Sequence, residues 1–527
     1  MDGGFLTEQS LAGRSAPDRR IVSVHLPRFS IERWQRVLER QGDAPPDDLP
    51  AVLAVEGPHG PIVHAATHAA ERVGIRPGAR VTDMHAIAPG LRVDYADLAG
   101  DRAALERLML WMRRWCPWSC LDGDDGLFLN TTGSDHLWGG EAAMLAQIEA
   151  ALAVLGFSAD LALAPTPGAA WALARFGPVR AIATPETLAD DLAPLPVRAL
   201  RIGDDDALVL DRLGLKTMGA LAGIPRAALS PRFPAGDTGV TPLVRLDQAM
   251  ARASEPLDYP DEPPRFSVRA LLPEPVEDPT PYLGQLCHDL CAAMEREGMG
   301  ARRLTLSVYR TDGEVRDLSV ATAAPSRDAP HLERLWGDQL ERIDPGFGFD
   351  LVTLGAPWVE PLAERQGRLS GASGDGLELA RLVDRLTNRL GARAVTVPAP
   401  KDSHMPERRE DWHPALGQPP APAPPDPLRA PRPLRLLDTP EEVHVVYAVP
   451  EGPPAQIVWR KQPLRVVRFA GPERIAPEWW ADRPSARLRD YYRVEIQTGQ
   501  RFWLFREGVH GEERRDPPRW CIHGIFA

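Results

Sequence analysis

Apolar residues near the start of the chain fall into short strand-like runs separated by helix-spaced stripes. Residues 21–26 (IVSVHL), mostly apolar and of strand length, read as a buried strand, and IERWQRVLER at 31–40 follows with helical character. Short runs at 51–55 (AVLAV) and 62–66 predict strands before a helix over about 67–73 that Gly74 stops. Leu105, Leu108, Met109, Met112 and Trp115 share one face of an amphipathic helix at 101–115. LFLNTT at 127–132 and residues 159–164 read as strands on either side of an alanine-rich helix at 141–155. This mixture predicts an α/β layer over residues 19–200, behind a disordered tail at 1–18.

The pattern then changes twice. Residues 203–230 show short helices punctuated by glycine and proline, too small for a core of their own. After the PDEPPRF linker the order is strand (265–272), helix (280–296), strands (303–310 and 314–322), helix (330–342) and strand (350–355). That β-α-β-β-α-β series predicts a split βαβ sandwich. Within RRLTLSVYR, alternation places Leu304, Leu306 and Val308 inward and Arg303, Thr305 and Ser307 outward. Residues 361–433 read as a linker with a helix at about 376–391, and nine of the twenty residues at 414–433 are proline. Such a run is expected to be a polyproline-II spacer reaching roughly 60 Å. Beyond it, 434–527 is aromatic, with Trp459, Trp479, Trp480, Tyr491, Tyr492, Phe502, Trp503, Phe505 and Trp520. On an alternating strand Trp503 and Phe505 share one face and Phe502 and Leu504 the other. At least one face is therefore expected to be core; the other is open to a partner, with Trp520 and Phe526 near the terminus, the alternative being a small β domain with a tryptophan core.

Composition narrows the function classes. A net charge of −12 excludes a strongly basic nucleic-acid coat protein, though not a local basic face. Arginine supplies 58 of the 61 basic residues, the signature of a GC-rich genome. Five cysteines fit a reducing cytosol better than a disulfide framework. The first twenty residues lack an apolar signal core, and Gln147 and Glu149 interrupt the longest apolar stretch, so a soluble cytoplasmic protein without membrane spans is expected. GxxxxGK[ST], HExxH and GxSxG are all absent. LDGDDG at 121–126 lacks the alternate spacing and distal glutamate of a calcium loop. Cys116/Cys120 and Cys287/Cys291 are each four apart, not the CxxC-like spacing of structural zinc; the CHDLC pair lies on a predicted helix, where that spacing marks one buried face, and His523 reads as a packing residue.

Residues 62–91 (IVHAATHAAERVGIRPGARVTDMHAIAPGL) resemble the fingers of Y-family DNA polymerases. The similarity runs on through LFLNTTGSDHLWGG (127–140), the helical module at 203–230 and the split βαβ unit. The resemblance implies an α+β multidomain fold: a palm at 19–200 with fingers inserted at about 34–93, a helix-hairpin-helix thumb at 201–255 and a little finger at 264–360. Farther on, RLVDRLTNRLG (381–391), DSHMPER (402–408) and the terminal RFWLFRE…WCIHGIFA are similar to the ImuB-like branch, the polymerase-like family of the bacterial mutagenesis cassette. That branch implies a role in SOS-response translesion synthesis. Its implied partners are damaged or primer-template DNA, the sliding clamp, a RecA-like ImuA protein and an error-prone C-family DNA polymerase.

Departures from the family pattern carry as much information. Y-family catalysis needs three carboxylates around two Mg²⁺ ions about 3.5–4 Å apart. Here His25 stands at the first acid, and Asp125 followed by Gly126 at the paired acids, leaving one carboxylate of three. The fingers Tyr and Arg that meet sugar and triphosphate appear as His68 and Glu71, and the palm lysine as Ala172. These losses imply an inactive polymerase homologue with no cofactor. Mg²⁺ enters only under the alternative, a working translesion polymerase whose altered metal site uses Asp122 or Asp124. A third reading is a DNA-structure-binding protein unconnected with synthesis. For DNA contact the resemblance offers the hairpin Arg201-Ile202-Gly203 with Lys216, opposed by Asp204, Asp205 and Asp206. Arg302, Arg303, Arg310 and Arg316 are expected to line a backbone-tracking groove. The expected clamp peptide retains Gln366 and Leu369, but Ser370 replaces its apolar anchor. Docking of the other proteins is expected at 434–527 through Trp503, Phe505, Trp520 and Phe526.

Overall fold

Strand β1 (Ile21–His25) lies at the centre of a five-stranded sheet, antiparallel to β6 (Gly126–Asn130) on one side and β7 (Asp160–Ala164) on the other. β5 (Ser119–Asp122) and β8 (Ala181–Ile182) form the edges. Its apolar run does not alternate because both faces are covered. Helix Pro167–Phe176, capped by Thr166, packs its alanines with Ile21 and Phe128 on one face. Helices Leu98–Met112 and Glu141–Val154 cover Val22, Val24, Leu127 and Leu129 on the other. The computed structural model describes residues 19–233, 240–362, 374–416, 431–446, 452–483, 485–508 and 518–526. These divide into two units, 1–381 and 382–527, and no described helix is long and apolar enough to cross a membrane.

Inserted between β1 and β5 is a small three-stranded sheet of β2 (Ala51–Gly57), β3 (Gly60–Ala66) and β4 (Arg92–Tyr95), with its own core around Val52, Val63 and Ile75. Thr67 caps the helix His68–Arg72, and Gly74 leaves it at φ +91°, where glycine alone carries no Cβ penalty. The short helices Asp204–Arg212 and Met218–Ala222 bury Leu210, Met218 and Leu221 in the same cluster as Ala169 and Leu173. They borrow the palm's core, as their size demands.

The little finger is a four-stranded sheet in the order β11-β10-β12-β9, with β9 (Phe266–Val276), β10 (Met299–Arg310), β11 (Val315–Ser326) and β12 (Phe349–Pro361). Leu304, Leu306 and Val308 are buried beneath helix Thr280–Arg296 while Arg303 is exposed. The expected helix at 330–342 is instead two short ones, Ala329–Arg334 and Gly337–Leu340, broken around the fully buried Trp336. One end of this sheet meets the palm. Tyr309 and Leu351 join the palm core, Trp111 Nε1 donates to the Arg310 carbonyl at 3.1 Å, and Arg114 pairs with Asp350 at 2.8 Å. Helix Gly374–Leu390 matches the helix expected near 376–391.

In the second unit β13 (Thr396–Pro400) and β14 (Glu410–Pro414) form a hairpin. A seven-stranded sheet follows, ordered β15-β21-β20-β19-β18-β17-β16. Its strands are β15 (Arg435–Glu442), β16 (His444–Val446), β17 (Gln456–Trp459), β18 (Gln462–Ile475), β19 (Arg489–Ile496), β20 (Arg501–Glu507) and β21 (Arg519–Ile525). This sheet corrects the expected docking residues, because both of its faces are core. Phe502, Leu504 and Trp520 pack with Tyr492 and Ile522 on one side. Trp503 and Phe505 pack with Tyr491, Met405 and Ile475 on the other, with Phe526 half-buried against them. Trp503 is 2% exposed. The linker boundary also moves. Met405 of DSHMPER lies in this core, Arg432 stacks over Trp503 at 4.6 Å, and Pro433 lies against Gly524. Those segments belong to the module rather than to a spacer; residues 417–430 of the proline run lie outside the described residues.

Candidate functional site

The palm apex is where the ends of β1, β5, β6 and β7 meet. Antiparallel register sets His25 opposite Gly126 on one side and Asp160 on the other, and Asp122 opposite Gly126 across the β5–β6 turn. The His25 ring lies between two carboxylates, with Nδ1 3.2 Å from Asp160 Oδ2 and Nε2 3.5 Å from Asp125 Oδ2. Arg175, on helix Pro167–Phe176, reaches the same point from behind the sheet. Its Nη2 donates to Asp125 Oδ1 at 2.9 Å and to Asp122 Oδ2 at 3.3 Å. The guanidinium stacks on Trp171, one turn earlier, at 4.2 Å. Burial pushes the Asp125 carboxyl up, but the His25 hydrogen bond and the Arg175 charge outweigh it and hold the group below the usual range. Burial dominates at Asp122, so its carboxyl stays above the usual range despite Arg175.

These residues do not fit a pair of Mg²⁺ ions. Each carboxylate already faces a cation or imidazole of the chain itself, and Mg²⁺ prefers a cage of oxygen ligands. Among the described residues no three His, Cys, Asp or Glu side chains are grouped to hold a metal. Ala172 is fully buried in the alanine-packed core, so a side chain there would not face the apex; Arg175 is the residue of this helix that does. The fingers positions are also rearranged. Arg28 donates to Glu71 Oε2 at 2.8 Å and lies 2.8 Å from His68 Nδ1, so Glu71 is paired rather than left as a bare repelling charge. Sequence reasoning missed Arg175, Asp160 and Arg28. Strand pairing would have flagged Asp160, and the i,i+4 spacing from Trp171 is the signal for Arg175.

Two family descriptions match the chain: the impB/mucB/samB family over residues 44–175 and its C-terminal domain over 266–397. Protein ImuB of Caulobacter vibrioides is 45% identical over 469 residues, covering 86% of this chain and all of that protein. The chain belongs to the ImuB family. DNA polymerase IV of Dehalococcoides mccartyi is 25% identical over 301 residues, 56% of this chain and 75% of that one. The crystal structure of DinB from Sulfolobus solfataricus matches with a TM-score of 0.38 and 19% identity, covering 64% of this chain and 97% of that one. This ImuB-family chain carries the two matched segments within its mixed α/β unit and a seven-stranded aromatic β sheet beyond them.

The arginines expected to track DNA divide sharply. Arg303 and Arg316 are exposed. Arg302 and Arg310 are buried, a correction that the alternation of β10 itself explains, since both share the inward phase of Leu304 and Val308. Arg302 donates to the Thr322 carbonyl at 3.0 Å and pairs with Glu360 at 3.1 Å; Arg310 pairs with Asp312 at 2.7 Å. In the thumb hairpin Arg201, not Gly203, takes the left-handed conformation (φ +56°), and its side chain turns back to Glu255 at 2.6 Å. Gly203 and Lys216 are exposed, while Asp204, Asp205 and Asp206 form the first turn of the following helix, where carboxylates suit its dipole. Gln366 and Leu369 lie outside the described residues. Among the described residues of 434–527 the most exposed aromatics are Trp479 (85% exposed) and Trp480 (68%), edge-to-face at 5.6 Å between β18 and β19, with Phe469 of β18 also exposed. Their loop is pinned from DSHMPER, where Arg408 pairs with Glu478 at 2.9 Å and with Asp482. Cys116 and Cys120 are buried, their thiols pushed up to about 12 by burial, and Cys287 and Cys291 face the little-finger core.

Proposed function

We propose that this ImuB-family chain is a non-catalytic Y-family polymerase homologue, acting as a DNA-binding and protein-docking adaptor in damage-induced, error-prone translesion synthesis. The observation that carries this reading is the palm apex, where the Arg175 guanidinium bridges Asp125, the one acid retained at the family's metal positions, and the neighbouring Asp122. A fixed internal cation cannot coordinate a triphosphate and a primer hydroxyl together as two metals do. The rival, a polymerase using Asp122 or Asp124, is disfavoured by the same geometry. Asp122 is engaged by Arg175, and the Asp124 side chain is 98% exposed.

On this reading the polymerase-shaped unit supplies primer-template affinity, with Arg303 and Arg316 on the little finger. The aromatic module supplies docking for the RecA-like ImuA protein and the C-family polymerase that performs synthesis in the cytoplasm. A sliding-clamp contact falls to Gln366 and Leu369. Complementation tests the assignment. In cells lacking the chain, Asp125→Ala should restore damage-induced mutagenesis to near the wild-type level. Loss of mutagenesis at normal protein abundance would favour the polymerase reading.

A further inference from the structure

Arg175 has a structural counterpart in Gly126. A Cβ placed on Gly126 would lie 3.0 Å from Asp122 Oδ2, 3.1 Å from the Asp122 carbonyl and 3.2 Å from Arg175 Nη2. Gly126 is not among the residues with positive φ, so its backbone does not demand glycine. The constraint comes from what is packed against it, the Asp122 carboxylate and carbonyl together with the Arg175 guanidinium. Residue 126 without a side chain and residue 175 with a guanidinium therefore form one arrangement: the first leaves room that the second fills.

We infer that Arg175 is the resident cation of the palm apex, seated in the room left at Gly126, and that it excludes divalent metal by occupying the carboxylates. The inference rests on the non-catalytic reading of the apex and extends it from missing ligands to an installed substitute. The Arg175 side chain is only 10% exposed and held over Trp171, so it is not a surface arginine that swings away. Its Nη1 is buried and makes no hydrogen bond among the described residues, while Nη2 contacts both carboxylates. His25 closes the other flank between Asp125 and Asp160. A divalent ion entering here would meet a like charge at contact range in a partly desolvated site.

Mn²⁺ titration of the full chain, followed by electron paramagnetic resonance, tests this. Wild-type protein should show no bound population that Asp125→Asn removes. Arg175→Gln should gain one, bound about tenfold or more tightly than any wild-type site, and Asp125→Asn added to it should abolish the gain. An Asp125-dependent Mn²⁺ site in the wild type, or a folded Arg175→Gln variant without the gain, would overturn the inference. If Arg175→Gln does not fold, thermal melting of the wild type keeps the question open to refutation. Millimolar Mn²⁺ should raise its Tm no more than that of Asp125→Asn, because only a ligand bound to the native state shifts melting; a larger wild-type rise contradicts resident-cation exclusion. Primer extension is a separate readout, so a wild-type metal site without nucleotide incorporation would remove this inference while leaving the adaptor reading intact.

Discussion

The palm apex and the aromatic module are each built around an aspartate–arginine pair, yet the two pairs stand in opposite surroundings. In the module Asp490 is wholly buried and accepts from Arg506 at 2.9 Å and from Arg474 at 2.8 Å. In the palm Arg175 is buried, but Asp125 remains half exposed at the rim. The sealed pair holds a fold together, because neither ion can return to water without opening the sheet. The rim pair sits at the strand ends of the palm apex, partly open to solvent, where the proposed reading has it hold the place of a metal. Identical side-chain chemistry thus serves architecture in one unit and, on the proposed reading, takes the place of catalysis in the other.

The largest effects should come from the sealed region. Trp503→Ala should cost the module about 3–5 kcal/mol, and Asp490→Asn a similar ~3–5 kcal/mol by stranding the buried Arg506 guanidinium. Denaturant melts should show both losses. The corresponding rim change, Asp125→Asn, should stay within about 1 kcal/mol. A rim substitution as damaging as the sealed one would erase the distinction.

Next in size is the exposed tryptophan pair. Trp479→Ala combined with Trp480→Ala should lower co-purification of ImuA or the C-family polymerase by about tenfold or more. The melting curve should be unchanged, since neither ring is buried. Retained pull-down would place docking elsewhere on the module. For DNA, replacing Arg303 and Arg316 with alanine should make the salt dependence of primer-template binding shallower by about 2 in log–log slope. Arg302→Ala should act through stability instead, because its guanidinium is bonded inside the sheet.

The smallest effect is a pH dependence within the module. His523 is buried beside Trp503, its Nδ1 2.8 Å from the Tyr491 hydroxyl, and burial lowers its pKa against a smaller opposing pull from Glu407. The unfolded chain therefore binds this proton more tightly, and stability is lost as pH falls below the ordinary histidine value of about 6.5. At Glu407 burial raises the carboxyl, but its own backbone hydrogen bond and Arg489 outweigh that and leave it low, so its contribution is also lost on acidification. Melting of the module should shift down between pH 7.5 and 5.5, and His523→Gln should flatten the shift.

The fold was legible wherever apolar spacing had one interpretation. The run IVSV at 21–24 reads as a strand and is buried on both faces, and Leu304, Leu306 and Val308 of the little finger alternate as expected. By the same rule FWLF at 502–505 is a continuous apolar run, and reading it as half core and half docking face gave its pattern a meaning that both-face burial explains better. Arg302 and Arg310 were misplaced because charge was weighed above phase. At the apex the family pattern marks His25, Asp125 and Gly126 as altered positions. It is blind to Arg175, whose role depends on a helix packed behind the sheet and on the space at Gly126, neither of which lies near Asp125 in sequence.

The central claim is that this palm keeps a polymerase architecture without its chemistry. Primer extension by the purified full chain, on undamaged and lesion-bearing templates with Mg²⁺ and with Mn²⁺, tests it most directly. No nucleotide incorporation should occur with either metal, and Asp125→Ala should not differ from wild type. Template-dependent extension that disappears in Asp125→Ala would contradict the account.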